Sequence, residues 1–309
     1  MFAATPEGGG VHCVISVAGT NPIVWGPRAD FVMDVGFSTA QVISEPGRVI
    51  IGDPDKTARF YGLSRPEGTY ALYTDLDSSS LAKVPTADGK LEDISFLRRH
   101  DEALYHPAGT QLAVIGETEE GIYGVWAASN EGKKSHLLVP HRDEDEFYGL
   151  SFSADGETLH YMDDQHDSWE LRAANLNTLK EGIALPESTL LLKNDQPLSI
   201  IASPFTNDLL TYREGTCDVG FTTFVLEGST PRKVLGDAGD TQPIGWLPDD
   251  RLVVASTEDL CNPERTLDIH VVDEERSVLI VEDVREAAVR AELPAAPDPV
   301  SGPIGTSPE

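Results

Sequence analysis

A five-residue phrase, Phe60-Tyr61-Gly62-Leu63-Ser64, recurs unchanged as Phe147-Tyr148-Gly149-Leu150-Ser151, and internal repetition limits a fold more tightly than any single motif. Both copies run through the same turn chemistry into an apolar stretch. Pro66-Glu67-Gly68-Thr69 leads to Tyr70–Tyr73, and Ala154-Asp155-Gly156-Glu157-Thr158 leads to Leu159–Met162. Fainter copies are Leu104-Tyr105-His106-Pro107-Ala108-Gly109, Ser203-Pro204-Phe205-Thr206-Asn207 and Gly245-Trp246-Leu247-Pro248-Asp249-Asp250, each also followed by an apolar stretch. Taking residues 66, 107, 154, 204 and 248 as equivalent gives spacings of 41, 47, 50 and 44.

Each copy has one local logic. Proline presets φ at the second position of a turn, and Gly, Asn or Asp tolerates the positions after it, so the chain reverses. Short Val-, Ile-, Leu- and Tyr-rich segments flank the reversal and make a hairpin. Two more strand-like segments follow in each unit; in the clearest, Ile122–Ala127 and Ser135–Val139 are joined by the hairpin turn Asn130-Glu131-Gly132. Four strands per roughly 45 residues is the unit of a β-propeller blade. A β-sandwich also has many short strands, but not a turn phrase repeated in register. The expected fold is therefore all-β, a six-bladed β-propeller of four-stranded antiparallel blades.

Five repeats cover about residues 60–285, and residues 11–59 supply another blade's worth of strands: Val11–Ala18, Ile23–Gly26, Phe31–Val35, Gln41–Ser44 and Val49–Gly52. That blade lacks the turn phrase, as expected where strands from both ends of the chain close a ring. The domain reading is a disordered segment at 1–10, a single propeller at 11–292 and a proline-rich disordered tail at 293–309. Helical periodicity is confined to Val284–Leu293.

The phrase of apolar strand, Pro-Asp/Glu/Ala-Gly, then apolar strand resembles the TolB-like, or WD40-like (PD40), propeller repeat over most of residues 60–255. The resemblance implies a noncatalytic binding platform, often outside the cytoplasm, or the propeller half of a serine peptidase. The chain departs from the peptidase pattern: it has no C-terminal α/β-hydrolase domain and no Gly-x-Ser-x-Gly. The Gly-His and Trp-Asp dipeptides of true WD40 repeats are missing as well.

With 23 Lys and Arg against 52 Asp and Glu, the formal charge is −29, a surface that repels nucleic acid and anionic lipid. No run approaches the ~18–20 apolar residues of a membrane helix, so membrane insertion is not expected. Met1 to Gly10 shows no basic segment followed by an apolar one.

If the Pro-Gly turn joins the first and second strands of each blade, the other two loop types share the opposite end. Asp53, Asp55, Asp101, Glu102, Asp143, Asp145, Asp163, Asp164, His166, Asp167, Asp237 and Asp240 all fall there, with few basic residues among them, and form the expected binding face. A concave rim of one sign focuses potential and attracts cations or a basic protein or peptide. The alternative is that an acidic composition places acids in every solvated loop. His141-Arg142-Asp143-Glu144-Asp145-Glu146 and Asp163-Asp164-Gln165-His166-Asp167 flank one blade, and oxygen-rich groups of this kind suit Ca²⁺. Asp143, Asp145, Asp163 and Asp164 are the candidate metal ligands, with a solvated charge run as the alternative. His166 is either a transition-metal ligand or a histidine with a raised pKa.

Cys217 and Cys261 each follow their own turn position by 13 residues, which places them in equivalent loops of adjacent blades. Those loops are long enough to bend together into a disulfide, and such a bond implies an oxidising, extracytoplasmic location. Two reduced thiols in a cytoplasmic protein are the other reading. Cys13 sits in an apolar run as a small hydrophobe. Trp126 and Trp169 fall at matching third-strand positions and read as packing between blades, as do Tyr61 and Tyr148, for which ligand stacking is the alternative.

Two functions follow. The first is a noncatalytic propeller offering an acidic loop face to a basic protein or peptide, with no cofactor required. The second is a Ca²⁺-dependent propeller hydrolase or lyase, lactonase-like, with carboxylates at a central channel.

Overall fold

The computed structural model describes residues 92–284 apart from 95, 110, 133, 142–145, 166–167, 178–184, 196–197, 237–238, 263 and 274–275. Before residue 92 it describes strand residues only, between Phe2 and Pro85. A short ladder pairs β1 (Phe2–Ala3) with β2 (His12–Cys13). The first sheet is β3 (Ile23–Trp25), β4 (Val32–Val35), β5 (Thr39–Val42) and β6 (Arg48–Gly52). The second is β7 (Ala58–Leu63), β8 (Tyr70–Asp75), β9 (Ser80–Pro85) and β10 (Glu92–Asp93). The third is β11 (Arg99–Tyr105), β12 (Gln111–Glu117), β13 (Tyr123–Ser129) and β14 (Ser135–Pro140). The fourth is β15 (Glu146–Phe152), β16 (Thr158–Asp164), β17 (Trp169–Asn175) and β18 (Ser188–Asn194). The fifth is β19 (Leu198–Ala202), β20 (Leu209–Thr216), β21 (Gly220–Glu227) and β22 (Thr230–Lys233). The sixth is β23 (Asp240–Trp246), β24 (Leu252–Thr257), β25 (Leu267–Val272) and β26 (Ser277–Val284).

Among the described residues, then, the chain forms six four-stranded antiparallel sheets, each a meander of consecutive strands. All four strands of the first sheet come from residues 23–52, and among the described residues no strand from the C-terminal part of the chain joins it. Short connections favour pairing of sequential strands over long-range closure. Val284, expected to open a helix, instead ends β26. The rest of that segment, the tail 293–309 and most of 1–10 lie outside the described residues.

All five turn positions fall between the first and second strands of their sheets. Gly109 donates its amide to His106 at 2.7 Å, Gly156 to Ser153 at 2.9 Å and Asp250 to Leu247 at 3.0 Å. The closing residues share a left-handed backbone, with φ of 71°, 74° and 61°. Asp250 thus does the glycine's task, which Asp and Asn tolerate better than other side chains. The turn around Pro66 lies outside the described residues.

Four of the six first strands share a β-bulge: between Phe60 and Gly62, His100 and Glu102, Tyr148 and Ser151, and Pro243 and Gly245. A bulge inserts one residue and flips the inward face from that point on. In β11 the buried residues are accordingly His100, then Ala103 and Tyr105; in β15 they are Phe147, then Leu150 and Phe152. Gly149 sits in the β15 bulge with φ of 57°, a backbone conformation that glycine adopts at least cost.

Burial falls across each sheet. The central residues of β12, β16 and β24 are buried on both faces, whereas β22 is exposed throughout. A strand covered on both sides has no solvent face, so its sequence is a continuous apolar run rather than an alternation. The cores accordingly lie between sheets. Leu112 and Val114 of the third meet Leu72 and Leu81 of the second; Phe147 and Leu159 of the fourth meet Ile115 and Val125 of the third. Trp169 joins a core shared by the fourth and fifth sheets, and Trp246 one shared by the fifth and sixth. Trp126 donates its indole N–H to Gly116 O at 3.2 Å. The exposed edge β22 carries Pro231, Arg232 and Lys233, residues that discourage pairing with a further strand.

Candidate functional site

The two ends of the sheets differ in chemistry. At one end lie the tight turns; at the other, the ends of the second strands and the starts of the first, where the acidic residues gather. At this loop end Glu102 on β11 reaches into the fourth sheet. The Gly149 and Leu150 amides donate to its Oε2 and Oε1, both at 2.8 Å. The bulge of β15 frees those two amides from the ladder, and the bulge of β11 turns Glu102 toward them. A carboxylate accepting two backbone N–H groups is a strong, charge-assisted contact.

Asp240 has the same role two seams on, between the fifth and sixth sheets. Its Oδ1 accepts from the Phe221 amide at 2.9 Å and its Oδ2 from the Leu260 amide at 2.8 Å. A Cβ on Gly220 would stand 2.6 Å from that Oδ1, so Gly220 makes room for the clamp. Beside it a disulfide joins Cys217 to Cys261 with Cα atoms 5.8 Å apart. The bond joins the short β20–β21 loop to the longer β24–β25 loop, so equivalent positions in adjacent sheets come within bonding range although only one of the two loops is long.

Asp101 accepts from the Tyr123 hydroxyl at 3.0 Å and pairs with Arg99 at 3.0 Å. Burial, reinforced by the Asp101 charge, pushes the Tyr123 hydroxyl well above the usual range. The Tyr61 hydroxyl donates to the Asp101 carbonyl at 3.1 Å, and Tyr148 donates to Glu146 while packing on Trp169 at 5.3 Å between rings. Both repeated-phrase tyrosines are thus held by neighbouring groups.

Asp163 is 7 % exposed and takes part in a charge network of the fourth sheet. Arg172 lies 3.5 Å from Asp163 and 2.6 Å from Glu170, and Lys193 lies 3.1 Å from Glu170. Burial by itself would raise the Glu170 carboxyl, but hydrogen bonds from Lys193 and Arg172 outweigh it and hold the group below the ordinary value. Glu214 goes the other way: burial raises it, and the nearby Asp195 charge adds to the effect, against a hydrogen bond from Asn194.

Three of the expected face residues therefore turn inward. Glu102 and Asp240 clamp seams, and Asp163 is buried against Arg172. Asp164 is half-buried at the end of β16, and Asp101 is partly exposed in its pair with Arg99. Asp53, Asp55, Asp143, Asp145, His166, Asp167 and Asp237 lie outside the described residues. No group of three or more His, Cys, Asp or Glu among the described residues could hold a metal ion. Asp163 and Asp164 therefore do not fit a calcium site with described neighbours. Glu119, Glu120, Asp195, Asp218 and Glu258 are exposed at this end. The sequence signal for Glu102 is its place at the bulge of a first strand, which alternation alone hides.

A serine–histidine contact is present elsewhere, Ser256 Oγ to His270 Nε2 at 3.0 Å, with Ser256 only 6 % exposed and so closed to a substrate. No described helix is long and apolar enough to cross a membrane.

No protein-family model matches the sequence, and no curated protein matches it. Solved structures do match in fold. A TolB-type protein of Agrobacterium tumefaciens aligns with a TM-score of 0.58 and 15% identity over 81% of this chain and 90% of its own. An oligogalacturonate lyase in complex with manganese aligns with a TM-score of 0.60 and 14% identity over 84% and 73%. A chain of a nidogen/laminin complex gives 0.52 and 11% over 82% and 90%. These likenesses show the fold, a β-propeller of the TolB/PD40-like type, in which binding proteins and enzymes both occur.

Proposed function

We propose that this chain is a noncatalytic six-bladed propeller whose loop end binds a basic protein or peptide. The six meander sheets supply the blades. The observation that carries the reading is the division of labour among the loop-end acids. Glu102 and Asp240 fix the seams, which leaves Asp101, Asp164, Glu119, Glu120, Asp195, Asp218 and Glu258 on a rigid mount. Asp53, Asp55, Asp143, Asp145, Asp167, His166 and Asp237 extend the same face in sequence. Preorganised like charges draw an oppositely charged partner and lose force with salt. The nidogen/laminin complex is a protein complex that holds a propeller of this type, which supports a binding role. The disulfide supports an extracytoplasmic location.

The test uses an oligolysine peptide. Its affinity should fall steeply between roughly 0.05 and 0.3 M salt, as the Debye length shortens from about 14 to about 6 Å. Charge reversal at Glu119 and Glu120 should weaken binding far more than reversal at Glu131 and Glu187 on the turn end. Salt-independent affinity, or equal loss from both sets, refutes the acidic face.

A further inference from the structure

At the turn end, the seam between the fifth and sixth sheets opens into a cleft of about 610 Å³, a volume in the range of small-ligand sites. The matching seam between the third and fourth sheets is closed. There His106 fills the gap: its Nε2–H donates to Gly156 O at 3.1 Å, its Nδ1 accepts from the Ala108 amide at 3.0 Å, and its ring meets Phe152 edge-on. In the fifth sheet the residue before the turn proline is Ser203. Its side chain is smaller than the imidazole, and its hydroxyl donates to Asp250 Oδ1 across the seam at 3.3 Å while accepting from the Phe205 and Thr206 amides.

The cleft floor is apolar, the rim of the core containing Val225, Trp246, Leu252 and Val272. Most charges on its walls are already engaged. Arg251 pairs with Asp249 at 2.7 Å, Arg276 with Asp273 at 3.8 Å, and Asp250 accepts from Thr206 at 2.7 Å. Three are not. Asp208, Glu227 and Arg232 line the cleft, are exposed, and have no side-chain hydrogen bond or ion pair among the described residues. Leu209 and Glu227 are direct partners across the β20–β21 ladder, and the Gly228 amide lies 3.4 Å from Asp208 O, so Asp208 and Glu227 adjoin at one lip of the cleft. Val225 pairs with Arg232, which places the guanidinium on the same face two residues further in.

The geometry points to a second binding site here, for the free amino terminus of a peptide whose first side chain is apolar. The ammonium sits between Asp208 and Glu227. The side chain covers the Trp246–Leu252 floor, and Arg232 donates to the first peptide carbonyl. The site lies at the opposite end of the sheets from the acidic loop face and does not depend on it.

The experiment is calorimetric titration of the intact chain with Phe-Leu-Gly-amide, beside its N-acetylated form. The free amine should bind, and acetylation should weaken it about tenfold or more, the loss expected for a charge-assisted contact. Asp208→Asn and Glu227→Gln should each lose about the same factor for the free amine and little for the acetylated peptide. Both are exposed, so melting temperatures should hold; if one variant misfolds, the other and the acetylation comparison still decide. Equal binding of the two peptides, unchanged affinity in both variants, or no binding at millimolar peptide overturns the proposal. So does an equal loss on reversing Glu119 and Glu120, which would mean that any acid on the surface serves.

Discussion

The third–fourth and fifth–sixth seams solve the same problem with different chemistry. The first is held without a covalent bond: the Glu102 carboxylate clamps the loop end, and His106 fills the turn end. The second repeats the carboxylate clamp with Asp240, adds the Cys217–Cys261 bond, and leaves its turn end open. A seam tied covalently at one end can tolerate a gap at the other, whereas a seam without that tie is packed along its length.

The largest expected effect comes from removing the covalent tie. Cys217 and Cys261 are 44 residues apart, and the chain-entropy model gives about 4 kcal/mol for a loop of that size. The double Cys217→Ser, Cys261→Ser variant should lose much of that in urea unfolding, with amide exchange rising in β20–β24 before β11–β16. Uniform exchange across both seams would mean that they are not separate units.

Next is the packed seam. A Cβ on Gly156 would stand 2.1 Å from His106 Nε2, and φ there is 74°. Gly156→Val should cost about 3 kcal/mol. His106→Gly should recover part of the loss by relieving the clash, a coupling that a thermodynamic cycle measures. Glu102→Ala, which strands two buried amides, should cost about 2–3 kcal/mol by denaturant titration, with Glu102→Gln restoring part of it.

The smallest effect brings in the second–third seam. His100 on β11 is 5 % exposed and hydrogen-bonds Thr74 on β8. Burial, opposed by the weaker pull of Asp101, drops its pKa from 6.5 to about 4. The unfolded chain therefore binds the extra proton first as pH falls. The stabilisation is whole above pH 6.5 and is lost on acidification down to about 4, roughly 2 kcal/mol of it between pH 7 and 5. His100→Gln should flatten that part of the stability–pH curve, and the acid-labile seam should be this one rather than the disulfide seam.

Much of this arrangement is written locally. The turn at Pro107, its relatives at 154, 204 and 248, and the 13-residue offset of the two cysteines each follow from a few neighbouring residues, and sheet order follows from sequential pairing. The acids are harder to read. Glu102 and Asp101 are adjacent, yet one enters the neighbouring sheet and the other meets Arg99 and Tyr123. What separates them is a single inserted residue in β11, which a period-2 reading cannot detect because it reverses every face beyond it. Asp240 and Gly220 are likewise matched across a seam, through a contact between residues 20 apart that neither announces alone. The open cleft is illegible for a similar reason. It arises from a serine standing where another repeat has histidine, and the consequence is felt only in the next sheet.

Cys217 and Cys261 bracket β21, β22, β23 and β24 entirely. A protease that cuts the backbone anywhere in that stretch converts a closed loop into an open one without releasing a fragment. The severed strands remain tethered to their neighbours and can re-seat, so damage there is survivable in a way that a cut between β11 and β16 is not.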